Sequence, residues 1–446
     1  MLASQPGSPA ASAAGPKLTY DTVTPSAAQS SLASVAPFMF WLMFRNVASD
    51  GFVFEDPIRP GVLSAPGCVL ASPSWENTQT HVTQDYVYNW TRDAAVVAIE
   101  LANGPVPSSQ PLTDYVEFAQ TCQNSGADFD LASFLINGSP RSWSDQTDGA
   151  ALQTLAILAL YGQLDAPTKA VADVVIEANL TFLQNAYQGK TVNLWEEEFG
   201  YSFFARAVQL KCFQEVSANV MGIAVPGWLG GAIAWLQTAL QDHWSPAQGY
   251  YQSMIPEPGD KAPYDPNSDI VMAAVYGAVD VTDTKLLATA AKLRSQWALA
   301  SSSYYYPING ADQQRGIGPM VGRYPGDVYD GDNDQSGDDH PWALCTCNFA
   351  ELYYRLAKEI TASNQVPWDA NSAEFFSQVA VTASRTPVAA AAELQAAADQ
   401  MLQAIVFHSD HLELSEQFDA TSGYEKSVTN LSWSYAAFLS ALRARP

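Results

Sequence analysis

The chain has 446 residues, of which 48% are hydrophobic and 11% aromatic, and its formal net charge is −25. That charge argues against nucleic acid and anionic membrane surfaces as partners, because phosphate recognition needs a basic surface. Five cysteines are too few for a disulfide-built scaffold; Cys345 and Cys347 read as buried thiols. Residues 1–24 read as an extended, low-complexity arm without the basic start and apolar core of a secretory leader. Apolar residues then recur at helical spacing over 26–48, 92–104, 112–124, 148–163, 167–187, 200–216, 226–241, 267–277, 283–299, 341–360, 370–384, 388–408 and 428–444. The apolar run 36–44 is too short to cross a bilayer. Short extended pieces are expected at 62–71 and 304–307. No fixed-period repeat and no Pro/Ser/Thr linker interrupts the rest, so 25–446 reads as one helical domain after the arm.

Short polar turns alternate with long aromatic and acidic loops between these helices. The long loops precede the helices that start near 92, 148, 200, 267, 341 and 428. If hairpins of helices pack in a ring, every second helix starts at the same end, and these six loops converge on one rim. Helix N-termini there add N–H donors.

Nearly every motif with chemical character falls in those loops. Tyr86-Val87-Tyr88-Asn89-Trp90-Thr91-Arg92-Asp93 places adjacent charges in an aromatic stretch, suited to charge-assisted hydrogen bonds with hydroxyls; the alternative is an N-capping Asp with a surface Arg. Trp143-Ser144-Asp145-Gln146-Thr147-Asp148-Gly149 sets a Trp in a polar loop, as a stacking surface would be. Asn193-Leu194-Trp195-Glu196-Glu197-Glu198 puts consecutive carboxylates among aromatics; the alternative is an acidic first helical turn. Gly322-Arg323-Tyr324-Pro325 isolates an Arg between Gly and an aromatic, which suggests a buried donor fork. The alternating Asp residues that follow over 330–340 resemble a calcium loop, but Gln335 and Pro341 occupy the positions where Gly and Glu belong, so a solvated rim loop is expected instead. Leu414-Ser415-Glu416-Gln417-Phe418-Asp419 carries a second isolated carboxylate, with Ser427 eleven residues on and Trp433-Ser434-Tyr435 beyond. Two carboxyl groups in aromatic settings are what glycosidic cleavage requires: one to give a proton, the other to activate water. No nucleophile elbow, phosphate loop, dinucleotide fingerprint or zinc-protease motif occurs, and five His without partner motifs argue against a metal site.

Together these segments, with Ala71-Ser72-Pro73-Ser74, Ser202-Phe203-Phe204 and Pro341-Trp342, resemble glycoside hydrolase family 15, the fungal glucoamylases, from about residue 26 onward. The resemblance implies an all-α (α/α)6 barrel and inverting, exo-acting release of β-D-glucose from non-reducing ends of α-1,4-glucans, without cofactor or metal. It implies Glu196 as general acid and Glu416 as general base, with Ser427 and Tyr86 placing the water. Arg92 and Asp93 would grip the first sugar. Glu197, Arg323 and Trp342 would contact units around the scissile bond, with Leu194 and Trp195 beside them. Trp90, Trp143 and Trp433 would wall the pocket. Glu196 would have to hold its proton near the working pH and Glu416 to stay ionised.

Departures from the family pattern are Asn193 for an Asp, Gly326 for an acidic residue, a shorter loop after Trp143, and the longer acidic 330–340 loop. They leave open another linkage, such as trehalose or isomaltosides, and a non-catalytic sugar-binding toroid. The resemblance further implies a secreted monomer, although no leader and no starch-binding module are visible.

Overall fold

The computed structural model of the chain describes residues 25–49, 51–77, 80–256, 262–332 and 337–446. The arm expected over 1–24 lies outside the described residues. Among the described residues the α-helices are, in order, α1 (Pro25–Phe44), α2 (Thr91–Asn103), α3 (Gln110–Gln123), α4 (Asp148–Leu160), α5 (Ala166–Ala186), α6 (Phe203–Ala218), α7 (Leu229–Gln241), α8 (Asp269–Tyr276), α9 (Thr284–Ala298), α10 (Pro307–Arg315), α11 (Ala343–Ser363), α12 (Ala373–Ser377), α13 (Pro387–His408) and α14 (Ser432–Ala444).

Two kinds of helix alternate, and their sequences say which lies where. In α4, Asp148, Ala151, Leu152, Thr154, Ala156 and Ile157 are all buried, so the helix faces protein on every side. In α5, burial recurs at Thr168, Ala172, Val175, Ile176, Asn179 and Leu183, a stripe at helical spacing. Helices of the first kind pack side by side: α2 on α4, α4 on α6, α6 on α8, α8 on α11, α11 on α14, and α14 back on α2. The ring is closed. Around it α3 packs on α2, α5 on α4, α7 on α6, α9 on α8, α13 on α11 and α1 on α14. This is the (α/α)6 barrel expected from the sequence. Small side chains at the ring contacts, among them Ala95, Ala98, Ala151, Ala207, Ala273, Ala350 and Ala437, are buried completely or nearly so.

Inner helices start at Thr91, Asp148, Phe203, Asp269, Ala343 and Ser432, close to the six starts expected. Their first N–H groups need acceptors, and the neighbouring rim loops supply them. Thr91 N donates to Ala132 O at 3.0 Å, Phe203 N to Ser253 O at 2.8 Å, Ala343 N to Glu416 O at 3.0 Å and Ser432 N to Ala71 O at 2.8 Å. Helix ends and rim loops therefore fix one another.

Elsewhere the sequence misled. Where 370–384 reads as one helix, only Ala373–Ser377 is helical, and Ala380 stands at φ +58°, which ends the periodicity. The piece expected to be extended at 304–307 instead leads into α10, whose first residue is Pro307; its polar sequence hides the helix. Over 62–71 only isolated bridges form, Leu63 to Glu55 and Val69 to Val47. All five cysteines are buried and free.

Candidate active site

Glu416 lies where the loop before α14 crosses the start of α11. Its carbonyl holds Ala343 N, and its own N–H reaches Val428 O at 2.9 Å. The side chain is 2% exposed. Tyr86 Oη donates to Oε1 at 2.6 Å, and the Ser427 hydroxyl donates to Oε2. Both residues were expected beside Glu416, as residues that place the water. Tyr329, which sequence reasoning missed, hydrogen-bonds Tyr86 Oη at 2.9 Å. Burial pushes the Glu416 carboxyl up to about 7, against the two hydroxyl donors and the Arg323 charge, which favour the ionised form. The dry wall that shields this group also makes its charge expensive, so the ionised form that a base needs is favoured only toward neutral pH. On the assignment of Glu416 as base, kcat/KM should fall about tenfold per pH unit below neutrality, as it takes up its proton. Tyr86→Phe removes a donor to the ionised form and should move that limb to higher pH. A limb in the unmodified protein at the ordinary glutamate value of about 4.3 would refute this.

Glu196 occupies a tight turn built by Asn193. The Asn193 N–H reaches Glu198 O at 2.7 Å, its carbonyl accepts Glu196 N at 3.0 Å, and its Oδ1 accepts Glu197 N at 2.9 Å. Asn193 is completely buried. The residue that departs from the family pattern thus keeps an acceptor role that an Asp would also fill, without the charge. Glu196 itself stands at φ +65°, a conformation that costs a non-glycine residue energy and that the surrounding hydrogen bonds enforce. Trp90 Nε1 donates to its Oε1 at 2.8 Å and Trp143 Nε1 donates to Oε2. Because the Trp90 and Tyr86 rings lie 5.6 Å apart, one pair of packed rings links the donor on Glu196 to the donor on Glu416.

Two arginines flank this pair. Arg92, buried, gives Nη1 to Gln146 Oε1 at 2.7 Å and lies 3.5 Å from Asp93, 3.7 Å from Asp148 and 4.0 Å from Glu196. Its guanidinium lies 5.2 Å from the Trp433 ring centroid. Gln146 also donates to the Asn193 carbonyl, so a residue not assigned from sequence couples the arginine to the Glu196 turn. Burial raises the Asp93 carboxyl to about 6, opposed by Arg92. Arg323, also buried, forks onto Asp327 at 2.7 and 2.6 Å and reaches Glu197 at 2.9 Å. Tyr324 Oη donates to the other Glu197 oxygen at 2.7 Å. Trp195 Nε1 donates to Asn267 on the loop before α8 at 2.9 Å.

One cavity of about 660 Å³ is lined by every residue assigned to the site except Ser427, which stands behind Glu416. Trp143 is 48% exposed although it lines the cavity. Among the described residues, Trp342 Nε1 is buried without a hydrogen-bond partner, and Arg92 Nε and Asp93 Oδ2 face each other at 3.5 Å as an ion pair without a hydrogen bond. An unmet buried polar group costs about 1–3 kcal/mol, so this wall is suited to a ligand that carries hydroxyls. Arg141, unassigned from sequence, pairs with Asp85 and lies 3.8 Å from the Tyr88 ring and 4.0 Å from the Trp143 ring. Only its place two residues before Trp143 hinted at this.

The acidic loop is not a freely solvated rim. Asp330 and His340 are buried, and Asp339 takes a hydrogen bond from Tyr306 and another from Gly326 N at 2.9 Å. Gly326 has φ +78°, and a Cβ there would meet Tyr304 at 3.1 Å. Gly326→Glu, which restores the family's acidic residue, should destabilise the protein by about 1–2 kcal/mol in urea unfolding; an unchanged midpoint would contradict this.

A profile of the glycosyl hydrolases family 15 matches residues 42–128 and 136–443. A probable glucoamylase of Schizosaccharomyces pombe is 26% identical over 90% of this chain and 88% of that protein. Glucoamylase 1 of Rhizopus oryzae is 25% identical over 91% of this chain and 70% of its own length. Among solved structures, the Hypocrea jecorina family 15 glucoamylase superposes with a TM-score of 0.77 at 22% identity, covering 94% of this chain and 72% of that one. With the profile spanning nearly the whole barrel and both carboxylates facing one cavity, the chain belongs to glycosyl hydrolase family 15 and is a glycoside hydrolase.

Proposed function

We propose that this protein cleaves α-1,4-linked glucans from their non-reducing ends, with Glu196 as general acid and Glu416 as general base, releasing β-D-glucose. The observation that carries this reading is the single cavity onto which both carboxylates open, each held by its own pair of side-chain donors. Inversion needs room for a water between the sugar and the base. Tyr86 and Ser427 hold Glu416 by both oxygens and so aim the carboxylate that activates that water. Glu196, lined by indole N–H groups, gives its proton to the leaving oxygen. Arg92 and Asp93 hold the hydroxyls of the terminal glucose, while Arg323, Glu197, Trp195 and Trp342 contact the units about the scissile bond. Trp143 offers a face to the outgoing sugar.

Residues 25–446 act as one catalytic unit and the chain works as a monomer; sedimentation at 48.1 kDa tests this. No helix among the described residues is long and apolar enough to cross a membrane. Work outside the cell is proposed and is tested by comparing activity in culture medium and cell extract.

The decisive experiment incubates the protein with maltotriose, trehalose and isomaltose and follows the anomer by proton NMR. β-Glucose from maltotriose supports the proposal. Turnover of trehalose or isomaltose alone would assign the scaffold to another linkage, and no turnover of any would leave a sugar-binding toroid.

A further inference from the structure

The acidic 330–340 loop reaches the back of the proposed base. Asp332 accepts the Ser427 backbone N–H on Oδ2 at 2.9 Å, and its Oδ1 takes Asn77 Nδ2 at 2.7 Å and Gln84 Nε2 at 3.3 Å. The Lys426 ammonium sits 2.6 Å from Asp330 and 3.6 Å from Asp332. The contact is close: a Cβ on Gly331 would lie 2.1 Å from Ser427 Oγ. Ser427 stands at φ +63°, which a serine does not adopt without enforcement.

We propose that Asp332 is a positioning residue for this reaction: by gripping the Ser427 N–H it holds that serine in its left-handed conformation and so keeps the hydroxyl aimed at Glu416. The inference rests on the reading of Glu416 as general base. It gives the longer loop a task, in which Asp330 and Asp332 bind lysine and backbone within the protein. Two segments far apart in sequence, the one around Asn77 and Gln84 and the strand Glu425–Lys426, are tied to one carboxylate. The base is therefore braced from behind as well as from Tyr86 in front. The ionisable groups that face Glu416 are Tyr86, Tyr329, Arg323 and Asp327; those that face Asp332 are Lys426 and, through Lys426, Asp330 with His340.

Asp332→Ala should lower kcat about ten- to a hundredfold, the scale of an Å-sized misplacement, with KM changed far less. Loss of the Ser427 donor disfavours the ionised base, so the acid limb of kcat/KM should also move to higher pH, which general loosening would not produce. Asp332→Asn keeps an acceptor and should recover part of the loss. In a Ser427→Ala background, Asp332→Ala should add nothing further. Asp338→Ala, on an exposed residue of the same loop, should match the parent. Equal kcat and an unmoved limb in a folded Asp332→Ala protein, or full additivity with Ser427→Ala, would overturn the inference; if Asp332→Ala does not fold, the same readings are taken in Asp332→Leu, which also lacks the acceptor and keeps the side-chain volume, and parental values there have the same force. Glu416→Gln separates the two ideas: normal turnover there removes the base itself, whereas a dead Glu416→Gln with a parental Asp332→Ala removes only the brace.

Discussion

Glu416→Gln is expected to lower kcat on maltotriose by roughly 10²–10⁴-fold, with the fold retained. The amide cannot take a proton from water at any pH, so the acid limb should vanish together with the rate. Structurally the change is small but not free. Tyr86 and Ser427 both donate to this side chain, and the amide offers them one acceptor where the carboxylate offered two. One donor then faces an N–H, a mismatch worth about 1–3 kcal/mol in a buried site, which thermal unfolding should register as a modest drop. Glu196→Gln should lose rate on the same scale, but with poor leaving groups only; an aryl glucoside with an acidic leaving group needs no proton and should be spared. A Glu416→Gln protein with near-parental kcat would end the assignment, and equal losses on both substrates in Glu196→Gln would remove that residue as the acid.

Arg323→Met should have the largest effect on stability. The guanidinium is 3% exposed and carries Asp327, 1% exposed at its side chain, and Glu197. Its removal leaves two largely buried carboxylates without their cation, for which about 3–5 kcal/mol is the usual penalty. The Trp195, Tyr324, Tyr329 and Trp342 ring centroids lie 4.6 to 5.2 Å from the guanidinium carbon, so the wall they form should slacken too. Burial already holds the Glu197 carboxyl above its ordinary value, and the Arg323 charge opposes that rise. Without the arginine the group is protonated at higher pH. The deficit against the parent in urea unfolding should therefore shrink as pH falls. A deficit below about 1 kcal/mol, or one that grows in acid, would show that the pair is not worth what its burial implies.

What could be read from sequence follows from what each signal encodes. The helices were legible because apolar periodicity reports burial, and the alternation of short turns with long loops marked which helix ends would share a rim if the hairpins formed a ring; the ring itself was implied by the family resemblance. The short rings of contact that carry the chemistry were legible where residue type and setting coincide, as at Arg92, Arg323, Glu196 and Glu416. Gln146, Tyr329, Asn267 and Arg141 were not, because each acts through a partner tens to hundreds of residues away, and nothing local distinguishes such a side chain from an ordinary polar or aromatic one. The 330–340 loop failed for the opposite reason. Its composition speaks loudly of solvent and cations, while Asp330, Asp339 and Asp332 are committed to Lys426, Tyr306 and the Ser427 backbone.

Closure of the inner ring by α2 against α14 has a consequence for biogenesis. The helix that leaves the ribosome second finds its last neighbour only when residues near 444 have been made, tens of seconds later at ~5–20 residues per second. Until then α2 presents an unpartnered apolar flank, and the sugar pocket is incomplete, because Trp433 arrives on the closing helix itself. Native assembly of this barrel therefore waits on the synthesis of α14, and nascent-chain aggregation is the hazard its topology carries.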